Sequence, residues 1–352
     1  MIPLVTIGIP IYKRLEFIPQ ALRVVLAQDY PEIECIVSDN GMNGSKVPDL
    51  VARHYPRPYR FRQNPETVIV SEHFNQIVQE ATGKYFILFQ DDDDMSPNFV
   101  SDLVALLERH PSAAVAVSKQ EAVDPGGRVL RKSVDVVPEI LSGEDFVTAW
   151  CQGLYKFETF ATILSRTDEI KACGGYPFFP TGNGIDDALL LKLCLGRAVA
   201  LSSGCVFRKR TYESSLGFSC NYRALVQGSR RLLTFLDSDS VLLQYARSHP
   251  DQYREVKRLI VKMIWQTNFD RWNTMYRERE SPAEWARSAF AMPFIPDYYR
   301  RVMSTLGYAL KASALDKTKR LFPWVHRIYR SLKHTVSSVS YTHLTLPTSD
   351  LV

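Results

Sequence analysis

Through residue 120 the chain alternates between short runs of near-continuous apolar content and longer stretches whose apolar positions recur every three or four residues. Leu4–Pro10, Ile33–Ser38, Tyr85–Phe89 and Ala113–Ser118 belong to the first kind, with Tyr59–Arg62 a weaker fifth. Such runs suit strands buried on both faces. Phe17–Leu26 places Ile18, Leu22, Val25 and Leu26 on one helical face. Ser71–Ala81 does the same with Phe74, Ile77, Val78 and Ala81, behind Ser71 as a candidate cap. Val47–His54 reads as a short helix, and Pro97–Arg109 as a helix with proline in its first turn. The alternation predicts an α/β fold: a mostly parallel sheet flanked by helices.

In such a sheet ligands gather at the carboxyl ends of the strands. Three polar segments fall there: Pro10–Arg14, Asp39-Asn40 and Asp91–Asp94. Residues 120–215 are less regular, with a helix expected from Ser142 to Gln152, a strand near Phe160–Ser165, a Gly174-Gly175 loop and a helix over Asp187–Leu195. Residues 220–335 read as mostly helical, basic and rich in aromatics. From Ser338 on, the chain turns polar and β-prone, uncharged apart from Asp350. The string from Val339 to Thr348 resembles a translated sequencing-adapter tail, so it is set aside as an expected assembly artefact. The expected organisation is an α/β domain over 1–218, a helical basic region over 219–337 and a disordered tail over 338–352.

Charge sharpens this division. Of 352 residues, 43 are Lys or Arg and 38 are Asp or Glu, a net of +5. Residues 1–240 hold 25 basic and 29 acidic side chains, whereas 241–340 hold 18 and 8. A mildly acidic body therefore carries a basic extension. Leu321, Trp324, Val325, Ile328 and Leu332 share a helical face there, with basic residues elsewhere around it. Such a helix can lie on an anionic membrane or dock on the body with its basic face in water. No apolar run is long enough to span a bilayer, and the start lacks the pattern of a secretory signal. The expected location is cytoplasmic, with peripheral contact on the inner face of the cell membrane as an option. The six cysteines form no C-x-x-C pair, so neither zinc nor a disulfide framework is indicated. No nucleic-acid-binding motif is present.

Gln90 and the four aspartates Asp91–Asp94 follow an apolar strand. Carboxylates so close repel one another, and ionised they need a cation. Their hard oxygens suit Mg²⁺ or Mn²⁺ bound together with phosphate oxygens. An acidic turn that precedes a helix is the simpler alternative, but one or two aspartates would suffice for it.

These segments together resemble the family 2 glycosyltransferases of GT-A fold. Val5–Arg14 is similar to that family's opening strand, with Lys13 where Asn is usual. Gln28-Asp29-Tyr30, Ile36–Gly41, Asn75, Ala81–Tyr85 and the aspartate run resemble the segments that follow in the family, in the same order. The resemblance covers residues 3–215. It implies an inverting, metal-dependent transferase that moves a sugar from a nucleotide-diphosphate donor, UDP-sugar favoured, to a saccharide or lipid-linked acceptor hydroxyl in bacterial cell-surface polysaccharide synthesis. A non-catalytic saccharide-binding or assembly relative that keeps the fold is the alternative.

The resemblance places Pro10, Tyr12, Arg14 and Asp39 at the nucleotide, with Asp39 on the base. It places Asp91 at the ribose, Asp92 at the variable middle position, Asp93 on the divalent cation and Asp94 trailing it, with the metal contact open by one residue. Taken singly, Pro10 and Tyr12 can simply end a strand, and Asp39-Asn40-Gly41 is a turn signal. Gly184–Leu193 resembles the family's Glu-Asp-x-x-Leu segment, with Ile185 at the usual Glu. Asp186 is the candidate general base and Asp187 the second; either could instead cap the helix. Gly174–Pro177 looks like an acceptor-side loop, with its glycines as a hinge and Tyr176 or Phe178 for stacking on a sugar. Tyr212 stands where many relatives carry a metal-binding histidine, with Lys209 or Arg210 as a compensating charge.

Overall fold

A computed structural model describes residues 1–157, 160, 162–180, 182–211 and 222–278, the last stretch without the side chains of 222–224, 269 and 271–278. The chain divides into two compact units, 1–268 and 269–352. The side chains discussed below belong to the first. Tyr212, Cys220, the amphipathic segment around Trp324 and the tail from residue 338 lie outside the described residues.

The first half alternates as the pattern predicts. It runs β1 (Val5–Ile11), α1 (Ile18–Leu26), β2 (Ile33–Asp39), α2 (Lys46–His54), β3 (Arg60–Gln63), α3 (Val70–Glu80), β4 (Tyr85–Leu88), β5 (Asp94–Met95), α4 (Phe99–Arg109) and β6 (Ala113–Val123). The second half holds β7 (Val129–Lys132), β8 (Ile140–Ser142), α5 (Gly143–Cys151), β9 (Leu164–Arg166), α6 (Thr167–Ala172), α7 (Ile185–Cys194) and β10 (Ala198–Arg210). Among the described residues α8 (Tyr222–Leu236), α9 (Ser240–Ser248) and α10 (Pro250–Glu278) follow. Among the described residues no helix is long and apolar enough to cross a membrane.

The strands form one sheet in the order β3-β2-β1-β4-β9-β6-β10-β5, with β7 beside β6 and β8 beside β10. β1 pairs in parallel with β2 and β4, and β2 with β3. β10 is parallel to β6, while β5, β7, β8 and β9 enter antiparallel. The parallel half is the α/β architecture expected. β10 carries Ser202-Ser203-Gly204 at its middle, where the register slips between Leu201 and Val206. That polar interruption hid a 13-residue strand from the hydrophobic pattern.

Every residue of β1 is buried. Val5, Ile7, Ile9 and Ile11 join the layer built with α1, α2 and α4. Ile36, Phe86, Leu88, Val115 and Val117 join the opposite layer, which includes α3, α5, α7 and the buried side chains of α8. Each such side chain stabilises the fold by about 1.5–3 kcal/mol relative to exposure. Three local expectations are corrected. Ile69, not Ser71, occupies the cap of α3, and the buried Ser71 hydroxyl has no hydrogen-bond partner among the described residues. α4 starts at Phe99 behind Asn98, which leaves Pro97 outside the helix. α7 starts at Ile185 behind Gly184, so both aspartates stand in its first turn and neither caps it.

One buried contact ties helix to sheet at the edge where the polar segments emerge. His73 of α3 meets the Ser38 hydroxyl of β2 through Nε2 at 2.9 Å and is 3% exposed. Burial pushes its pKa down to about 4, so the ring is neutral at pH 7. The unfolded chain takes up this proton near pH 6.5, the folded chain only near 4. The stabilisation is therefore complete above about pH 6.5 and is lost as pH falls through this window, by about 3 kcal/mol at ~1.4 kcal/mol per unit. Replacing His73 by Gln is expected to flatten the denaturant-derived stability curve between pH 6.5 and 4 by about that amount. Parallel curves for the two proteins would contradict this assignment.

Candidate active site

Because β1, β2 and β4 are parallel, the loops that leave their carboxyl ends share one edge of the sheet. The loop after β2 is built around Asp39, which is fully buried. One carboxylate oxygen accepts the Gly41 N–H at 2.7 Å and the Asn43 amide at 2.7 Å. The other accepts the Asn43 N–H at 3.0 Å and the Gln63 amide at 3.1 Å. Asn40 fastens the same loop to 64–68, accepting from the Asn64 amide and the Val68 N–H and donating to the Val68 carbonyl. Gly41 lies so close to β1 that a Cβ there would stand 1.6 Å from the Tyr12 carbonyl oxygen. The Tyr12 carbonyl accepts from the Asn43 amide at 2.6 Å, while its ring is half exposed above the loop. Lys13, at the position where the family usually has Asn, donates to the Gly41 carbonyl. Pro10 is buried within β1. The Asp39 carboxylate thus holds the loop that shapes this corner, a role the motif alone did not reveal.

The loop after β4 concentrates charge. Arg14 places its guanidinium fork on two carboxylates, Asp91 at 2.7 Å and Asp92 at 2.5 Å. Burial pushes the Asp91 carboxyl up to about 7 against the pull of Arg14. Burial, followed by the charge of Asp92, pushes the Asp93 carboxyl well above the usual range. Asp93 accepts the Arg210 N–H at 2.9 Å. The Arg210 guanidinium in turn donates to the carbonyls of Asp92 and Pro125 at 2.9 and 2.7 Å. Asp94, a third exposed, opens β5 opposite Arg208 and pairs with it at 3.7 Å. Gln28 braces the segment from beneath, donating to the Ser96 carbonyl and accepting from the Val100 N–H. It is a buried strut, not a surface residue.

This donor set fits a divalent cation. It is anionic and all oxygen, and its carboxyls are held up by burial and by one another, a cost that a bound cation offsets. Among the described residues no three His, Cys, Asp or Glu side chains converge to cage an ion. A site with one or two carboxylates matches Mg²⁺-type ions, which fill their shell with phosphate oxygens and water.

The acceptor-side expectation is partly corrected. The Gly174–Pro177 loop is clamped, not hinged. Asn75 of α3 accepts the Tyr176 N–H at 2.8 Å and donates to the Tyr176 carbonyl at 2.9 Å. Lys192 of α7, itself buried, donates to the Gly175 carbonyl at 3.0 Å. Gly175 has φ +68°, and a Cβ there would stand 2.2 Å from the Asn75 amide oxygen. The Tyr176 ring is buried edge-on to Phe74, with centroids 5.3 Å apart, whereas Phe178 is 70% exposed. The two aspartates of α7 meet different surroundings. The charge of Asp186 acts on the Tyr176 hydroxyl, and that of Asp187 acts on Cys151. Burial, with Asp186 second, pushes the Asp187 carboxyl well up, and Lys209 opposes this. Lys209 also pulls the Asp93 carboxyl down, so one ammonium of β10 acts on both acidic groups.

Residues 6–176 match the sequence profile of glycosyl transferase family 2. With this sheet, the match means that the chain carries a family 2 glycosyltransferase domain of GT-A fold. A fragment of S. aureus TarS solved with UDP-GlcNAc superposes with a TM-score of 0.61 at 15% identity, over 97% of this chain and 93% of that one. A Pyrobaculum calidifontis mannosyltransferase, PcManGT, solved with GDP-Man and Mn²⁺, superposes with a TM-score of 0.50 at 16% identity, over 92% of this chain and 88% of that one. At such identities the likeness establishes the fold. In sequence, an uncharacterized glycosyltransferase of Rickettsia bellii is 30% identical over 129 residues, 36% of this chain. EpsE of Bacillus subtilis, a provisionally named glycosyltransferase, is 26% identical over 180 residues, 49% of this chain. These matches span 19% and 60% of the two relatives' own lengths.

The clamp on Tyr176 yields a direct test. Asn75→Ala strands a peptide N–H and C=O and is expected to lower the unfolding free energy by about 2–4 kcal/mol. Asn75→Asp keeps the acceptor and loses the donor, and is expected to fall between. Denaturant titration of the three proteins measures both effects.

Proposed function

We propose that the chain is an inverting, divalent-metal-dependent glycosyltransferase that uses a nucleotide-diphosphate sugar, UDP-sugar favoured. Its acceptor is a saccharide or lipid-linked hydroxyl, in the synthesis of bacterial cell-surface polysaccharide. The observation that carries this reading is that Lys209 acts at once on Asp93 and on Asp187, so the strand-end carboxylates and the helix-start carboxylates share one electrostatic neighbourhood. A transferase needs this proximity, because donor and acceptor must meet within bonding reach.

In this reading Pro10, Tyr12 and the Asp39 loop form the nucleotide corner, and Arg14, Asp91 and Asp92 border the ribose and diphosphate. Asp93, with Asp94 as the neighbouring option, holds Mg²⁺ or Mn²⁺, which when bound neutralises charge on the leaving diphosphate. Asp186 or Asp187 takes the proton of the acceptor hydroxyl as its oxygen bonds to the anomeric carbon and the bond from that carbon to the diphosphate breaks. Direct displacement from the opposite face inverts the anomeric centre. A carboxyl held above its ordinary pKa, as at Asp187, is the stronger base.

Asp93→Ala is expected to abolish Mn²⁺-dependent donor turnover. Asp186→Asn and Asp187→Asn are expected to keep donor binding, and the variant that loses transfer identifies the base. Full transfer in both would remove α7 from the chemistry. Among UDP-, GDP- and dTDP-sugars with Mn²⁺, a UDP-sugar is expected to raise the melting temperature most, because a ligand of the folded state stabilises it. A larger shift with a GDP-sugar would reassign the donor.

A further inference from the structure

Beneath the first turn of α7 lies a cavity of about 110 Å³, closed by α8 and α10. It has room for several waters. All of its lining residues come after residue 176, outside the stretch that matches the family profile. Asp187 contributes to its wall. Leu232 and Ile264 supply buried apolar surface. Against them sits a polar pair, Ser229 of α8 and Asn268 of α10. Asn268 is 1% exposed, and its amide donates to the Ser229 hydroxyl at 2.9 Å. Among the described residues Ser229 is its hydrogen-bond partner. An amide has two N–H donors and two acceptor lone pairs, so this one keeps capacity for another group. Its oxygen also accepts from the same hydroxyl at 3.3 Å, so one small partner serves both ends of the amide.

The wall chemistry narrows the ligand. The lining holds one carboxylate and neither lysine nor arginine, which disfavours phosphates and nucleotides. Apolar faces opposite an amide–hydroxyl pair suit a neutral ring with C–H faces and hydroxyl edges. We propose that this cavity is an acceptor subsite that takes a neutral sugar ring, selected by the Ser229–Asn268 pair and presented to Asp187. The subsite rests on the transferase reading and adds to it where the acceptor is chosen: in the helices beyond the family domain. It also favours Asp187 over Asp186 as the group that meets the acceptor.

The test uses the whole chain and four probes, the methyl glycosides of glucose, galactose, mannose and N-acetylglucosamine. Saturation-transfer NMR is expected to detect binding of at least one. That signal is expected to vanish in Asn268→Leu, which keeps bulk and removes the amide, and to weaken in Ser229→Ala. Thermal melting verifies that both variants fold. With a UDP-sugar and Mn²⁺, the ratio of transfer to donor hydrolysis is expected to fall about ten-fold or more in Asn268→Leu, the scale on which a site built to hydrogen-bond discriminates. If no glycoside binds the wild type, or if binding survives both substitutions, the subsite is wrong. If donor hydrolysis is absent while a glycoside binds and is lost in the variants, the transferase reading fails and the sugar subsite stands.

Discussion

The burial of successive carboxylates at the end of β4 is the constraint around which the site is built. Asp91, Asp92 and Asp93 are all largely buried, and such charges cannot share a low-dielectric corner without compensation. The compensation comes from distant parts of the chain. Arg14 arrives from the loop after β1, and the Arg210 N–H and the Lys209 charge arrive from the end of β10. Each of these elements must reach the same sheet edge, so the electrostatics of one loop fix the relative placement of β1, β4 and β10. The cost persists even so, because Asp91 and Asp93 still hold their protons more tightly than free carboxylic acids do. A corner in that condition favours any cation that can enter it.

The motifs shared with the family divide between chemistry and scaffolding. Gln28 fixes the segment that carries the aspartates, and Gly83 donates to the Thr6 hydroxyl at 2.9 Å on the opposite edge of the sheet. Gln28 supports the strand-end loop from beneath, and Gly83 lies away from it. Asp39 spends its carboxylate on the loop after β2. A family signature here marks the residues that make the corner as much as those that line it.

Much of the parallel half was legible because β1, β2 and β4 are mostly apolar and their helices carry one clear stripe each. β10 was not, since serines and a glycine occupy its centre and charged residues its end. Arg210 was missed in its actual role because the bond to Asp93 comes from the backbone N–H, which no side-chain motif announces. The helix starts expected at Ser71 and Pro97 show local propensity yielding to packing: both lie within one or two residues of the true boundary. The cavity beneath α7 was invisible in sequence, because Ser229 and Asn268 look like ordinary polar positions until two helices bring them together.

The Gly175–Tyr176 peptide, held between Asn75 on one helix and Lys192 on another, has a consequence for how such a chain can change. Position 175 admits no side chain while position 75 keeps its amide, and the amide has its partners only while the loop keeps this path. The two positions are therefore one heritable unit rather than two independent sites, and their substitutions will not add. A graft that exchanges the loop after α6 between relatives must carry residue 75 with it, although it lies in a different helix and far away along the chain. Recombination that separates them breaks the join between α3 and the loop after α6, both inside the stretch that matches the family profile.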